Sequence, residues 1–473
     1  MINQRGILAC LVVLCGLLAA LLLKSDSLDV TELTFSKESG FYDKPFYLEI
    51  NAPVGTEIFY TLDGSDPDEN AEKYTEPIKI IDATENENVY SLRKDVSAGF
   101  LVDYIEEYGL EAPNYVVPDY NIDKCTVVKS AYKDADGNFS ETKTGCYFIG
   151  YDNKAGYDNV YIMSVVTDPD NLFDSRNGIY VMGDVFEDLA SSESESFDGD
   201  WFSWNANYFQ RGLGWERDAN IQLFDTKRNM VINKNCGIRV QGGCTRGYVP
   251  RSLNMYAREQ YDGEGRFYYD LFGTGYMADK ITLSASGNDY IAKFKDMLMA
   301  SLIYDRDFAA MNYIPCIMFL DGEYWGIYWI TERYDKAYLE HYYGTDEENA
   351  VIIKAERLDE GTGSDYDLYL EMMEFMENKD LSEDANYEYA CKLIDMQSYI
   401  DYYAAQIYIG RTDDWPGENE ALWRARNPKD SKYSDGKWRW MLYDVNWGAL
   451  SSDLTERDTF QSTMDKSRMF YNL

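Results

Sequence analysis

The chain has 473 residues and a formal charge of −39, from 83 acidic and 44 basic side chains. A field of that sign repels nucleic acid and anionic membrane surfaces, which argues against a nucleic-acid partner and favours a basic protein. There is one histidine, His341, so a zincin site, a multi-histidine metal centre and most nucleophilic triads lack their parts; chemistry must rest on carboxylates, amides, Lys, Arg and a metal ion.

Residues 6–23 form an apolar run between Arg5 and Lys24. Its length is near the lower limit for crossing a bilayer, about 17–25 residues. An apolar helix is therefore expected over 1–24, as a signal anchor or a signal peptide. The chain from residue 25 onward is expected to be exported, either tethered to the cell membrane or extracellular at the cell surface.

Residues 29–150 read as a small all-β module. Phe46–Ile50 and Glu57–Thr61 alternate in the half-buried strand pattern, and Asp63-Gly64 and Asp136-Gly137 are turn dipeptides. An insertion near 88–116 interrupts the pattern. Cys125, Cys146, Cys236, Cys244, Cys316 and Cys391 form no metal spacing. Export admits the pairs Cys125/Cys146 and Cys236/Cys244, while Cys316 and Cys391 read as core. Ser191–Ser196 is an acidic serine loop.

From about 160 the pattern is mixed, and the whole is α+β. Asn235–Gly243 is a strand running into a glycine turn. Ile291, Phe294, Leu298 and Leu302 have helical spacing within 289–304. Ile314–Leu320, Asp321-Gly322 and Trp325–Ile330 make a hairpin. A helix over 385–409 leads into Arg411-Thr412-Asp413-Asp414.

Asp414 and Asn419 stand five positions apart, and Asp444 and Asn446 come after an aromatic-rich strand, Lys437–Tyr443. Phosphoryl transfer uses such parts: one carboxylate orients a hydroxyl, while an amide and a carboxylate hold magnesium against the phosphates. Alone, Asp414 and Asn419 also fit a turn. Gly242-Gly243 would let backbone amides approach phosphate oxygens. Arg239, Arg246 and Arg251 surround that turn, to neutralise phosphate or to form salt bridges. Glu332 ends the hairpin and would partner a cation or the nucleotide. Lys354, closing the apolar strand from Val351, is the lysine ranked first for nucleotide contact.

Ordered motifs carry two resemblances. Tyr60-Thr61-Leu62-Asp63-Gly64-Ser65-Asp66-Pro67, with Tyr74, Pro77-Ile78 and Thr126–Tyr132, resembles the chitobiase C-terminal-type β-sandwich module. The stretches Met163–Phe173, Gly178–Val181, Gly237–Gly243 with Arg246, Arg251–Leu253, Asp321–Tyr328 with Glu332-Arg333, and Asp414-Trp415 to Asp444 resemble the spore coat protein H (CotH) kinase family. That resemblance implies a remote protein-kinase-like catalytic domain over 160–473, using ATP and magnesium. In this assignment Asp414 positions the acceptor hydroxyl, and Asn419, Asp444 and Asn446 bind the metal. Family members usually carry a second acid where Asn446 stands, and often Lys where Arg251 stands. In the family a further helical region usually comes after such a C-terminus, so the chain is expected to be truncated there.

The expected function is that of an exported atypical protein kinase phosphorylating a protein substrate, basic and Ser-rich. The β module would give contact with carbohydrate or cell wall, and the N-terminal helix would bind the membrane. Two rivals stand beside it. One is a non-catalytic cell-surface or spore-coat binding protein. The other is a carbohydrate-active enzyme, which would need two carboxyls about 5–10 Å apart.

Overall fold

The computed structural model describes residues 31–101, 117–191, 201–289, 292–411, 415–448 and 456–473. The apolar run at 6–23, the serine-rich residues 192–196 and Asp414 lie outside them. No helix among the described residues is long and apolar enough to cross a membrane.

Contacts divide the chain into two units. The first comprises Met1–Ala83 and Cys125–Asp152. Its strands are β1 (Thr34–Phe35), β2 (Gly40–Tyr42), β3 (Phe46–Leu48), β4 (Ile50–Asn51), β5 (Glu57–Thr61), β6 (Glu72–Lys73), β7 (Ile78–Ile80), β8 (Thr126–Lys133) and β9 (Lys143–Ile149). The main sheet runs β2-β9-β8-β5-β6, and β3-β7 and β1-β4 pair separately. Leu48, Ile50, Ile80, Val128, Tyr147 and Ile149 fill the core. At the Asp136-Gly137 turn, Asp134 Oδ1 accepts from the Asp136 and Asn138 amides, both at 2.9 Å, and Gly137 takes φ +88°. Only glycine enters that region at little cost.

The second unit comprises Thr84–Lys124 and Asn153–Leu473. By this division the described residues 84–101 and 117–124 group with the larger unit. Glu323 explains the attachment: its carboxylate accepts from the Val89 amide at 2.5 Å and the Ser91 amide at 2.8 Å. An acid buried at 4% exposure needs such donors.

A closed barrel forms first. Its strands are β10 (Tyr161–Val166), β11 (Arg217–Phe224), β12 (Met230–Val240), β13 (Leu253–Tyr256) and β14 (Lys280–Ser284). After β15 (Ala309–Ala310) come its last two, β16 (Tyr313–Leu320) and β17 (Glu323–Thr331). The order is β10-β11-β12-β13-β14-β17-β16, closed by parallel pairing of β16 with β10. β16 and β17 are the hairpin expected from sequence, turning at Asp321 and Gly322 with φ +44° and +88°. Cys236, inside β12, is a fully buried free thiol, so it makes no bridge to Cys244.

A second sheet has the order β15-β21-β20-β18-β19, with β18 (Ala350–Lys354), β19 (Arg357–Glu360), β20 (Ala421–Ala425) and β21 (Arg439–Leu442). Its core joins Val351, Leu422, Trp438 and Trp440 to Met372, Met376, Tyr399 and Tyr402 from the helices Gly363–Asn378 and Met396–Tyr408. The helix expected over 385–409 is two helices, Asp384–Leu393 and Met396–Tyr408. Ile394 leaves the helix to bridge Trp438 of the β21 approach, and the Asp395 side chain caps the second helix at Gln397 and Ser398. A cap of this kind contributes about 1 kcal/mol.

Candidate functional site

The candidate site is built around the end of β21. That strand lies between β15 and β20 and is buried along its whole length. Beyond it, Asp444 takes φ +56°. The left-handed region costs most residues roughly 1–2 kcal/mol, and Asp tolerates it better than most. Such a conformation persists only where the surroundings impose it. Here Arg411 Nη1 donates to the Tyr443 carbonyl at 3.1 Å, and the Val445 amide donates to Asp296 Oδ1 at 2.6 Å.

Asp296 stands in the first turn of the helix Lys295–Ile303. The Tyr313 hydroxyl lies 3.4 Å from its other oxygen. Burial pushes the Asp296 carboxyl up to about 6, and the charge of Asp444 adds to this. The Tyr313 phenol is raised by burial and then by Asp296, Asp444 and Glu332, so these three acids face one ring.

Lys354 closes β18. Its side chain is solvent-exposed, yet enclosure by protein is the main cause that lowers its ammonium. Surrounding protein thus crowds an ammonium that still reaches solvent. Arg333 lowers it further, whereas Asp359 and Asp444 act in the opposite sense. The ammonium sits 4.3 Å from the centre of the Tyr443 ring, a cation–π contact.

Asn446 Oδ1 is buried and has no hydrogen-bond partner among the described residues. A buried carbonyl oxygen left so costs free energy that a bound cation would recover. Among the described residues no three His, Cys, Asp or Glu side chains gather as a metal cluster, so amide oxygens would have to complete any set. Asn419 belongs to a loop tied to the same strand end: Tyr443 OH donates to the Glu418 carbonyl at 2.9 Å, and Trp415 Nε1 donates to Tyr402 OH at 3.2 Å. Lys354, Asp444, Asn446 and the loop of Asn419 are therefore neighbours, and the residues fit a hard divalent cation.

Glu332 is buried, and burial raises its carboxyl. It accepts from the Asn312 amide at 2.8 Å, from Asn312 Nδ2 at 3.0 Å and from Tyr342 OH. His341 packs on Tyr276 and Tyr342 with Nε2 at the Thr274 carbonyl, an aromatic surface contact.

The arginines around the glycine turn are placed differently. Gly242 has φ +120°, and a Cβ there would lie 2.3 Å from Thr245 Oγ1. Its carbonyl accepts from Arg246 Nε at 2.8 Å and Arg211 Nη2 at 3.2 Å; Gly243 leads into the short turn Cys244–Gly247. Arg246 also reaches the Tyr208 and Gln210 carbonyls, and burial lowers its guanidinium to about 10. Arg239 pairs with Glu216 at 3.5 Å and lies 4.1 Å over Tyr256. Arg251 is fully buried; it donates to the Arg246, Tyr180 and Val96 carbonyls and stacks 3.9 Å from Tyr208. Of the two sequence readings for these cations, Glu216 and backbone carbonyls supply the partners observed.

Arg251→Lys is expected to destabilise the protein by about 2–4 kcal/mol, because an ammonium cannot span three carbonyls. Urea unfolding checks it; an unchanged midpoint would contradict the clamp.

Sequence reasoning missed Asp296 and Arg411. Asp296 lies off the apolar stripe and has no motif around it. Arg411 is buried, with Nε and Nη2 lacking hydrogen-bond partners among the described residues. Its only sequence signal was a cation closing an apolar helix.

With this geometry in place, two family matches are informative. The family described as CotH kinase protein matches residues 238–470, which span β12's end to the last helix. The family described as Fn3 associated matches residues 41–147, across the β-rich module. A comparison with curated proteins finds no match.

Proposed function

From the match of residues 238–470 to the family described as CotH kinase protein, we propose that the chain is an exported atypical protein kinase. It transfers the γ-phosphoryl group of ATP to a protein hydroxyl with magnesium, in a remote protein-kinase-like domain. The observation that carries this reading is Asp444, held at φ +56° beyond a buried strand, with an orphaned Asn446 oxygen two residues on and Lys354 beside it.

Asp444, Asn446 and Asn419 are the residues that would hold the metal, and Lys354 would meet phosphate. Magnesium, when bound, would supply positive charge to neutralise phosphate. The charge of Asp444 raises the cost of ionising Asp296, so the site favours a cation. Asp414 would orient the acceptor hydroxyl. The excess of acids recommends a basic, Ser-rich protein acceptor. The apolar run at 6–23 supports export to a surface location.

A second reading, a non-catalytic binding protein, draws on one residue: Asn446 offers magnesium an uncharged oxygen where family members usually carry an acid. Asn446→Asp separates the two. If position 446 is a ligand, the substitution is expected to tighten magnesium binding about tenfold in the presence of ATP, measured by calorimetry. An unchanged affinity would mean that this side chain does not meet the metal.

A first experiment is thermal unfolding with ATP and magnesium, together and separately. A midpoint raised only by the pair supports the reading, and no shift would count against it.

A further inference from the structure

Described residues between β14 and the helix Lys295–Ile303 are held at two points. At one end, a Cβ on Gly287 would fall 2.9 Å from the Thr245 Cβ, so the absence of a side chain lets the glycine turn pack there. At the other end, Asp289 Oδ2 accepts from the Phe294 and Lys295 amides, both at 2.8 Å, and fixes where the helix begins. Asp296 is the next residue. Its Oδ1 takes the Val445 amide at 2.6 Å, the first peptide N–H after Asp444. The Tyr313 hydroxyl holds the other oxygen.

We infer that Asp296 is a positioning residue: by accepting from Val445 N it locks the Asp444–Asn446 backbone in the one conformation that aims both side chains at a shared cation. The inference rests on the magnesium reading above. Two hydrogen bonds flank this αL residue, from Arg411 to the Tyr443 carbonyl and from the Val445 amide to Asp296, and moving the second acceptor removes the restraint on the Asn446 side. The position of the Asp296 oxygen is what matters, and its charge is secondary.

Two substitutions divide position from charge. Asp296→Asn keeps an oxygen acceptor in place and removes the charge. Asp296→Glu keeps the charge and moves the acceptor by one methylene. Magnesium is titrated into each full-length variant by calorimetry with ATP present, and thermal unfolding reports the folded fraction. Asp296→Asn is expected to hold the magnesium dissociation constant within about threefold, whereas Asp296→Glu is expected to weaken it by about tenfold or more, the range seen for residues that orient metal ligands. A loss in Asp296→Asn as large as that in Asp296→Glu overturns the inference in favour of a charge effect. Unchanged affinity in both overturns it as well. Asp444→Ala in the same titration keeps the two claims apart. If it leaves the magnesium affinity unchanged, the magnesium reading itself fails; if it abolishes binding while both Asp296 variants bind normally, only the positioning role fails.

Discussion

Asp444→Ala is expected to remove magnesium-dependent ATP binding and to lower phosphoryl transfer by about two to three orders of magnitude, the usual scale for losing a preorganised charge-stabilising group. The carboxylate stands beyond the end of a buried strand, and its charge acts on both Lys354 and Asp296. Removing it takes away the only charged oxygen proposed for the metal. Alanine at φ +56° adds a conformational cost of its own, roughly 1–2 kcal/mol. Asp444→Asn controls for that cost, since Asn tolerates the left-handed region and keeps one carbonyl oxygen. It is expected to fold as wild type and to lose about tenfold or more in magnesium affinity. Calorimetry of magnesium binding with ATP reads both variants, and an affinity equal to wild type in Asp444→Asn would remove Asp444 from the ligand set.

Asp414→Asn is expected to separate binding from transfer. The metal and Lys354 carry nucleotide affinity in the proposed mechanism, while Asp414 meets the acceptor hydroxyl. Affinity for magnesium and ATP is therefore expected to stay within about threefold of wild type, as transfer falls by about a hundredfold or more, the loss typical of a positioned acid–base group. Asp413→Asn is the internal comparison. Both acids sit between two anchored residues, Arg411 at the Tyr443 carbonyl and Trp415 at the Tyr402 hydroxyl. The proposed mechanism assigns the hydroxyl to Asp414 alone, and Asp413→Asn is expected to retain most activity. Radiolabelled ATP with a Ser- and Lys-rich peptide measures transfer. Full turnover in Asp414→Asn would reject the role, and a greater loss in Asp413→Asn would move it one residue upstream.

Where local pattern decides structure, the chain was readable. The β16–β17 hairpin arises from two apolar runs and an Asp-Gly turn whose positive φ values require such residues. The strand leading to Asp444 arises from Trp438, Trp440 and Leu442 on one buried ribbon. Structure decided by long-range contacts was not readable. The stretch around Val89 and Ser91 joins the larger unit because Glu323, more than two hundred positions away, takes their amides. The break at Ile394 comes from its bridge to Trp438 in a strand still to come. Arg251 was legible as a cation beside a glycine turn, but the three carbonyls that consume it come from the remote segments at Val96 and Tyr180 and from nearby Arg246. Asp296 acts through one backbone amide, a kind of contact that leaves no residue pattern.

The proposed chemistry meets its most direct test in transfer of radiolabelled γ-phosphate by the full-length protein to a basic, Ser-rich peptide. Incorporation into hydroxyl side chains is expected only when magnesium is present, to be abolished by chelation, and to fall by about a hundredfold or more in Asp444→Ala. Incorporation that persists in Asp444→Ala, or no incorporation by folded wild-type protein that binds ATP and magnesium, would contradict a phosphotransferase centred on Asp444.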